Sequence, residues 1–159
     1  KIRIEKVCEV ANDNADGQII VSGDKISIES LQNTLKKDKK KSIILPVSAP
    51  FHCSLMKNAA EQMKDKIFSI KFNQPKKEII SNVTALPETD QENIKKLLVE
   101  QIYSKVRWRE TILYMENNGI NEFIEIGPGK VLSGLVKRIT KNRVSLSINS
   151  IEDIKNISK

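Results

Sequence analysis

The feature of this sequence that most restricts its fold is the alternation of short apolar segments with amphipathic helical stripes after residue 53. Two stripes are clear, one formed by Leu55, Met56, Ala59, Ala60, Met63 and Ile67, the other by Ile94, Leu97, Leu98, Gln101 and Ile102. Further helices are predicted at residues 108–115 and 131–139, and strands at residues 78–83, 123–126 and 144–148. Strands separated by amphipathic helices predict an α/β fold with a parallel sheet covered by helices.

The first fifty residues have a different pattern of shorter elements. Strands are predicted at residues 7–10 and 18–21, a helix at residues 27–37, and a further strand at residues 42–45. This β-β-α-β order could be most of a small α+β unit. We therefore expect two units, residues 1–50 and residues 51–159.

The charge of the chain is +7, and much of it comes from the lysine-rich run at residues 36–41. A basic run can bind nucleic acid, but aromatic residues make up only 4% of the sequence, so base-stacking platforms are scarce. A solvated helix end is the favoured interpretation, and a docking surface for an acidic protein is the second. Nucleic-acid binding rests on charge alone, and a salt-dependent gel shift would test it.

Membrane insertion, secretion and metal binding have no support in the sequence. No run approaches the ~20 apolar residues of a membrane span, and no signal-peptide core follows the charged start. Cys8 and Cys53 form neither a metal-binding nor a disulfide pattern. We expect a cytoplasmic protein without a metal site. Because the chain starts at Lys1 and enters strand-like sequence at once, we also expect a fragment.

His52 is the only histidine, and it lies in an unusual setting. An apolar stretch at residues 43–45 enters a turn between Pro46 and Pro50, and His52 stands where this turn ends and a helix begins. Enzymes often hold a catalytic base on such a loop, between two rigid elements. A surface or packed histidine remains the alternative on position alone.

Two other features can be structural or functional. Gln101 lies on an apolar stripe, where its amide must find partners, and a bond to local backbone is favoured. The turn Gly127-Pro128-Gly129 stands between a strand and a helix, where phosphate can bind. Pro128 removes one donor, so a tight structural turn is favoured.

Several ordered blocks together resemble one known family. They are residues 17–23 (GQIIVSG), 45–56 (LPVSAPFHCSLM), 81–84 (SNVT), 98–103 (LVEQIY), 106–108 (VRW) and 125–135 (EIGPGKVLSGL). In order and spacing they resemble the C-terminal half of malonyl-CoA:acyl-carrier-protein transacylases of bacterial-type fatty-acid synthesis. The resemblance implies the closing part of an α/β-hydrolase-like subdomain and a partial ferredoxin-like subdomain.

The resemblance also implies an activity with named residues. A serine attacks the malonyl thioester of malonyl-CoA, and His52 serves as its base before the malonyl group passes to acyl carrier protein. The backbone carbonyl of Gln101 would orient His52. Phe51 would border the malonyl group, although it could merely pack under the turn. No cofactor is implied.

The departures from the family concern the nucleophile. No Gly-x-Ser-x-Gly motif occurs in the sequence. The resemblance places the family's serine and its malonate-binding arginine in a missing N-terminal half. We therefore expect this chain to be inactive alone, with sheet edges that a companion segment must pair. The alternative is a non-catalytic remnant or a carrier-protein-binding module.

Overall fold

The computed structural model describes residues 6–140 and 144–157 and confirms the α/β class. Its elements are β1 (Cys8–Ala15), β2 (Gln18–Gly23), α1 (Lys25–Lys37), a 3-10 turn (Ser54–Met56), α2 (Lys57–Ser69), β3 (Ile79–Ile80), β4 (Pro87–Glu88), α3 (Gln91–Glu100), α4 (Trp108–Asn117), β5 (Glu122–Ile126), α5 (Val131–Ile139), β6 (Val144–Ile148) and α6 (Ile151–Ile157). No helix among the described residues is long and apolar enough to span a membrane.

Two aspartates set the starts of α1 and α3. Asp90 caps α3, because its carboxylate accepts the backbone N–H of Asn93 at 2.7 Å. Asp24 does the same for α1 through the N–H of Ser27 at 2.9 Å. Since Asp24 takes the cap, α1 begins at Lys25, two residues before the predicted start.

The antiparallel hairpin β1–β2 is fixed to the helices by two arginines. Arg109 of α4 donates to the Asp13 carboxylate at 3.1 Å and lies 3.5 Å from that of Asp16. Arg138 of α5 donates to the Asp16 carbonyl at 3.2 Å and to the Gln18 side chain. The pairs hold the hairpin turn against two different helices.

The predicted strand at residues 42–45 is wrong. Residues 41–47 have no regular secondary structure, and the side chains of Ile43, Ile44 and Leu45 are 72%, 58% and 39% exposed. A strand is stabilised by its neighbours in a sheet. No other described residue pairs with this segment.

The parallel pair β5–β6 has polar groups on its covered face and apolar side chains on its open face. Beside Phe123 on the face under α5, the Glu125 carboxylate accepts the N–H of Ser133, and the hydroxyls of Ser133 and Ser147 lie 2.7 Å apart. Ile124 and Ile126 alternate with Glu125 and therefore occupy the opposite face, at 44% and 80% exposure. The register adds Leu146, which pairs with Ile124 and is 37% exposed.

This open apolar face is unusual for a parallel sheet, which is normally covered on both sides. Full burial of each such side chain is worth roughly 1.5–3 kcal/mol. This face of the β5–β6 pair is therefore an exposed apolar patch.

We expect the 159-residue chain alone to bind a hydrophobic dye such as ANS through this face. Ile126→Lys should reduce dye fluorescence with little change in melting temperature, because Ile126 is 80% exposed. Ile26→Lys is the matched control, since Ile26 is 65% exposed on α1. An equal loss of fluorescence in both variants would contradict a role for the β5–β6 face.

Arg107 ties the segment before β4 to the start of α4. Its guanidinium donates to the carbonyls of Val83 and Thr84 at 3.3 and 3.1 Å, and its Nε donates to the Glu110 carboxylate at 2.9 Å. Lys105 lies 3.3 Å from the same carboxylate. Hydrogen bonds from Arg107, and next from Lys105, lower the pKa of Glu110 below its ordinary value.

This lowered pKa predicts a pH-dependent contribution to stability. Because the unfolded chain binds the Glu110 proton more readily, the contribution is complete well above pH ~4.3 and is lost as the pH falls through the folded-state pKa. Glu110→Gln should therefore lower the melting temperature more at pH 7 than at pH 3, as followed by circular dichroism. Glu29→Gln, at an exposed pair with Lys25 on α1, is the control and should change little at either pH.

Candidate active site

His52 lies in a short turn whose backbone is constrained from several directions. Its φ is 58°, a left-handed value that is uncommon for residues other than glycine. The following residue, Cys53, is fully buried, and its thiol donates to the Pro50 carbonyl at 3.2 Å. Such a backbone persists only where the surroundings fix it.

The segment after His52 is held by a residue that the sequence analysis missed. Glu9 of β1 accepts the backbone N–H of Ser54 at 2.9 Å, and it also accepts the Ser54 hydroxyl. The Ser54 hydroxyl first, and its N–H next, lower the pKa of Glu9, with a smaller contribution from Lys57. No local signal indicates this contact, because 45 residues separate its partners.

The imidazole of His52 meets the carbonyl of Gln101. Nδ1 lies 2.8 Å from this oxygen, across 49 residues of sequence. Because a carbonyl oxygen can only accept, Nδ1 carries the hydrogen and Nε2 of the neutral ring has a free lone pair. The bond uses the backbone of Gln101, as the family resemblance implies, and not its side-chain amide.

The position of Gln101 explains why its carbonyl is available. Gln101 is the C-cap of α3, and its N–H donates to Leu97 at 2.9 Å. The last carbonyls of a helix have no partner within the helix. Helices α2 and α3 also pack together: Lys95 donates to the Phe68 carbonyl at 3.4 Å, and Lys57 lies 5.9 Å from the Tyr103 ring.

The structure places the third candidate, Phe51, directly before His52. Its side chain is 47% exposed, so the ring is not fully buried beneath the turn. In the part of the chain that the structure describes, no serine or cysteine hydrogen-bonds to His52. The site therefore holds an imidazole and its hydrogen-bond acceptor, and the catalytic roles of His52, Gln101 and Phe51 stay predictions.

The Gly127-Pro128-Gly129 turn is structural in this arrangement. Gly127 and Gly129 have φ values of 138° and 93°, which favour glycine. The backbone N–H groups of Leu132 and Ser133, at the start of α5, donate to Glu125 at 3.1 and 2.8 Å. These bonds lower the pKa of Glu125, that to Ser133 most. Two of the donors that a phosphate would use are thus occupied.

A metal centre has no basis in residues 6–140 and 144–157. Within these ranges no group of three or more histidine, cysteine, aspartate or glutamate side chains is placed to hold an ion. Cys8 is exposed and Cys53 is buried, and neither forms a disulfide.

The sequence is similar to enzymes of one kind. It is 42% identical over 152 residues to a malonyl CoA-acyl carrier protein transacylase of Staphylococcus aureus, which covers 95% of this chain and 49% of the relative. The corresponding Haemophilus influenzae protein is 39% identical over 147 residues, covering 92% of this chain and 47% of the relative. No protein-family model matches the sequence.

Solved structures agree with these relatives. An acyl-carrier-protein S-malonyltransferase from Bartonella henselae has a TM-score of 0.90 at 42% identity, covering 95% of this chain and 48% of the other. A malonyl-transacylase solved in complex with a type II PKS acyl-carrier protein has a TM-score of 0.89 at 33% identity, covering 98% and 50%.

The chain spans about half the length of the curated relatives it matches. The relatives and the solved structures confirm the resemblance that the ordered sequence blocks indicate. Over that half, the chain is similar in sequence and fold to malonyl CoA-acyl carrier protein transacylases.

Proposed function

We propose that these residues are the histidine-bearing half of an enzyme that transfers malonyl groups from CoA to the thiol of acyl carrier protein. The hydrogen bond from His52 Nδ1 to the Gln101 carbonyl, 2.8 Å long, carries the proposal. It leaves Nε2 ready to accept a proton, which is what a general base for acyl transfer requires.

In the proposed reaction, His52 moves one proton in each of two acyl transfers. Nε2 takes the hydroxyl proton as a serine attacks the malonyl thioester, and then protonates the CoA sulfur as the C–S bond breaks. In the second half, Nε2 takes the proton of the carrier-protein thiol as that sulfur attacks the malonyl ester. It returns the proton to the serine oxygen, and no cofactor takes part.

The serine must come from residues outside this sequence, which has no Gly-x-Ser-x-Gly motif. Two observations support a complementary half: the relatives are about twice as long, and the β5–β6 sheet exposes Ile124, Ile126 and Leu146. We propose that this half covers the open face and brings the serine to His52. The chain alone is accordingly proposed to be inactive.

The end of α1 is a candidate docking surface for an acidic carrier protein. Lys36, Lys39, Lys40 and Lys41 line a shallow groove there together with Gln32, Asn33 and Ser42. All four lysines are exposed. Opposite charges across such a surface would speed association and make its rate fall as salt rises. A carrier-binding module without catalysis would use the same surface, so catalysis has to be tested at His52.

His52→Ala in the complete enzyme should lower malonyl transfer by at least ~100-fold, which is the usual contribution of a general base. Gln101→Ala should retain most of the activity, since the backbone carbonyl remains. Steady-state kcat/KM with malonyl-CoA and acyl carrier protein measures both. Near-wild-type transfer by His52→Ala would remove the catalytic assignment, whereas an equal loss in a well-folded Gln101→Ala protein would assign the role to the amide.

Phe51→Ser should relax the preference for malonyl over methylmalonyl thioester by about tenfold, because a ring beside the malonyl group leaves little room for an α-methyl group. One methyl in a fitted pocket is worth only ~1–3 kcal/mol, so the preference should weaken without reversing. The ratio of the two kcat/KM values measures the effect. Leu55→Ser, at a neighbouring residue that is 42% exposed, is the matched control. An unchanged ratio in a stable Phe51→Ser protein would leave Phe51 as a packing residue.

A further inference from the structure

One strand, β1, contacts both segments that form the His52–Gln101 hydrogen bond. Through Glu9 it holds Ser54, two residues after His52. Through its backbone it holds Val106, five residues after Gln101: Val106 N–H donates to the Ala11 carbonyl at 2.8 Å, and Asp13 N–H donates to the Val106 carbonyl at 3.0 Å. The segments that carry the imidazole and its acceptor are therefore both held by the same strand, β1.

The Glu9 contact substitutes for an anchor that the turn itself lacks. Cys53 precedes the 3-10 turn Ser54–Met56 and makes no side-chain hydrogen bond to its free N–H groups. The Glu9 carboxylate takes the N–H of Ser54 from outside the segment and takes its hydroxyl as well. Bonds to a charged acceptor are stronger than neutral ones.

His52 depends on this contact because its own backbone conformation is energetically unfavourable. With φ at 58°, the residue depends on its neighbours to keep its conformation. The two residues that follow it are both anchored: Cys53 is buried and bonded to Pro50, and Ser54 is bonded to Glu9. Loss of the second anchor would let the turn relax and move the ring away from Gln101.

We propose that Glu9 is a positioning residue for His52: by holding Ser54 it keeps Nδ1 of the ring against the Gln101 carbonyl. This inference rests on the proposed function of His52 as the base. Glu9 touches no reacting atom, and its effect passes through the backbone of residues 52–54.

Steady-state kinetics of the complete enzyme test the proposal, because loss of a positioning residue should lower kcat and leave KM nearly unchanged. Glu9→Ala should lower kcat about tenfold, because a small displacement of a catalytic group is costly. KM for malonyl-CoA should stay within about twofold of the wild-type value, since Glu9 is not proposed to contact the substrate. Glu9→Gln, which keeps one accepting oxygen, should lie between Glu9→Ala and wild type.

A double-mutant cycle separates this contact from general damage. Ser54→Ala removes the hydroxyl partner, so Glu9→Ala combined with Ser54→Ala should be no slower than Glu9→Ala alone. Asp153→Asn is the matched control: Asp153 is also a carboxylate that accepts two backbone N–H groups and a serine hydroxyl, at Asn149 and Ser150. It should leave kcat unchanged.

A second readout does not depend on activity. Nitrogen-15 NMR of the imidazole follows the ring directly, and the signal that is lost in His52→Ala identifies His52 in the complete enzyme. In the complete enzyme, the Nδ1–H signal should be protected from exchange with water in wild type and in Asp153→Asn, and should exchange faster in Glu9→Ala.

The outcomes distinguish the positioning role from the proposed function. If His52→Ala is inactive but Glu9→Ala keeps wild-type kcat and a protected Nδ1–H signal, the positioning role is overturned and the base assignment stands. A lowered kcat with an unchanged imidazole signal would also overturn it. If His52→Ala stays active, the proposed function fails, and the NMR comparison still decides whether Glu9 positions the ring.

Discussion

The hydrogen bond between the His52 ring and the Gln101 carbonyl depends on where helix α3 ends. A histidine that is oriented by a carboxylate also gains a full opposing charge, which stabilises its protonated form. A backbone carbonyl offers only a partial charge, so it fixes the ring and its tautomer with less bias toward the imidazolium ion. Because the packing of α3 against α2 places this carbonyl, contacts such as that of Lys95 with Phe68 help to fix the orientation of the His52 ring.

Polar and apolar interactions have different roles in this structure. The contacts that hold its parts together are specific and polar: Arg109 with Asp13, Arg138 with Gln18, and Glu125 with the start of α5. Several large apolar side chains face outward, among them Ile43, Ile44 and Ile126. The hydrophobic effect is non-directional and proportional to the area buried. These exposed side chains therefore contribute little to holding the described residues together.

The helices were predictable from sequence because their apolar residues recur with helical spacing. The predicted strand at residues 42–45 failed because Ile43 and Ile44 supply β propensity without a partner strand. Helix α6 was missed because its seven residues are too few to establish a period.

At the site, His52 was noticeable from sequence because it is the only histidine of the sequence and stands at the end of a turn between two prolines. The periodicity assigned Gln101 to an apolar stripe, and only the family resemblance pointed to its carbonyl. The support of Ser54 by Glu9 joins residues 45 apart in sequence, so no local pattern could indicate it. The division into residues 1–50 and 51–159 stays a prediction.

The use of a main-chain acceptor at Gln101 has a consequence for how such a protein can change. No substitution of the side chain deletes a carbonyl, so many residues could stand at this position without disturbing the imidazole. An insertion or deletion between Asp90 and Gln101 is different. One added residue rotates the end of an α-helix by about 100° and advances it by about 1.5 Å, which turns the carbonyl away from the ring. As far as this hydrogen bond is concerned, the side chain at position 101 is therefore free to vary, while the length of α3 is fixed.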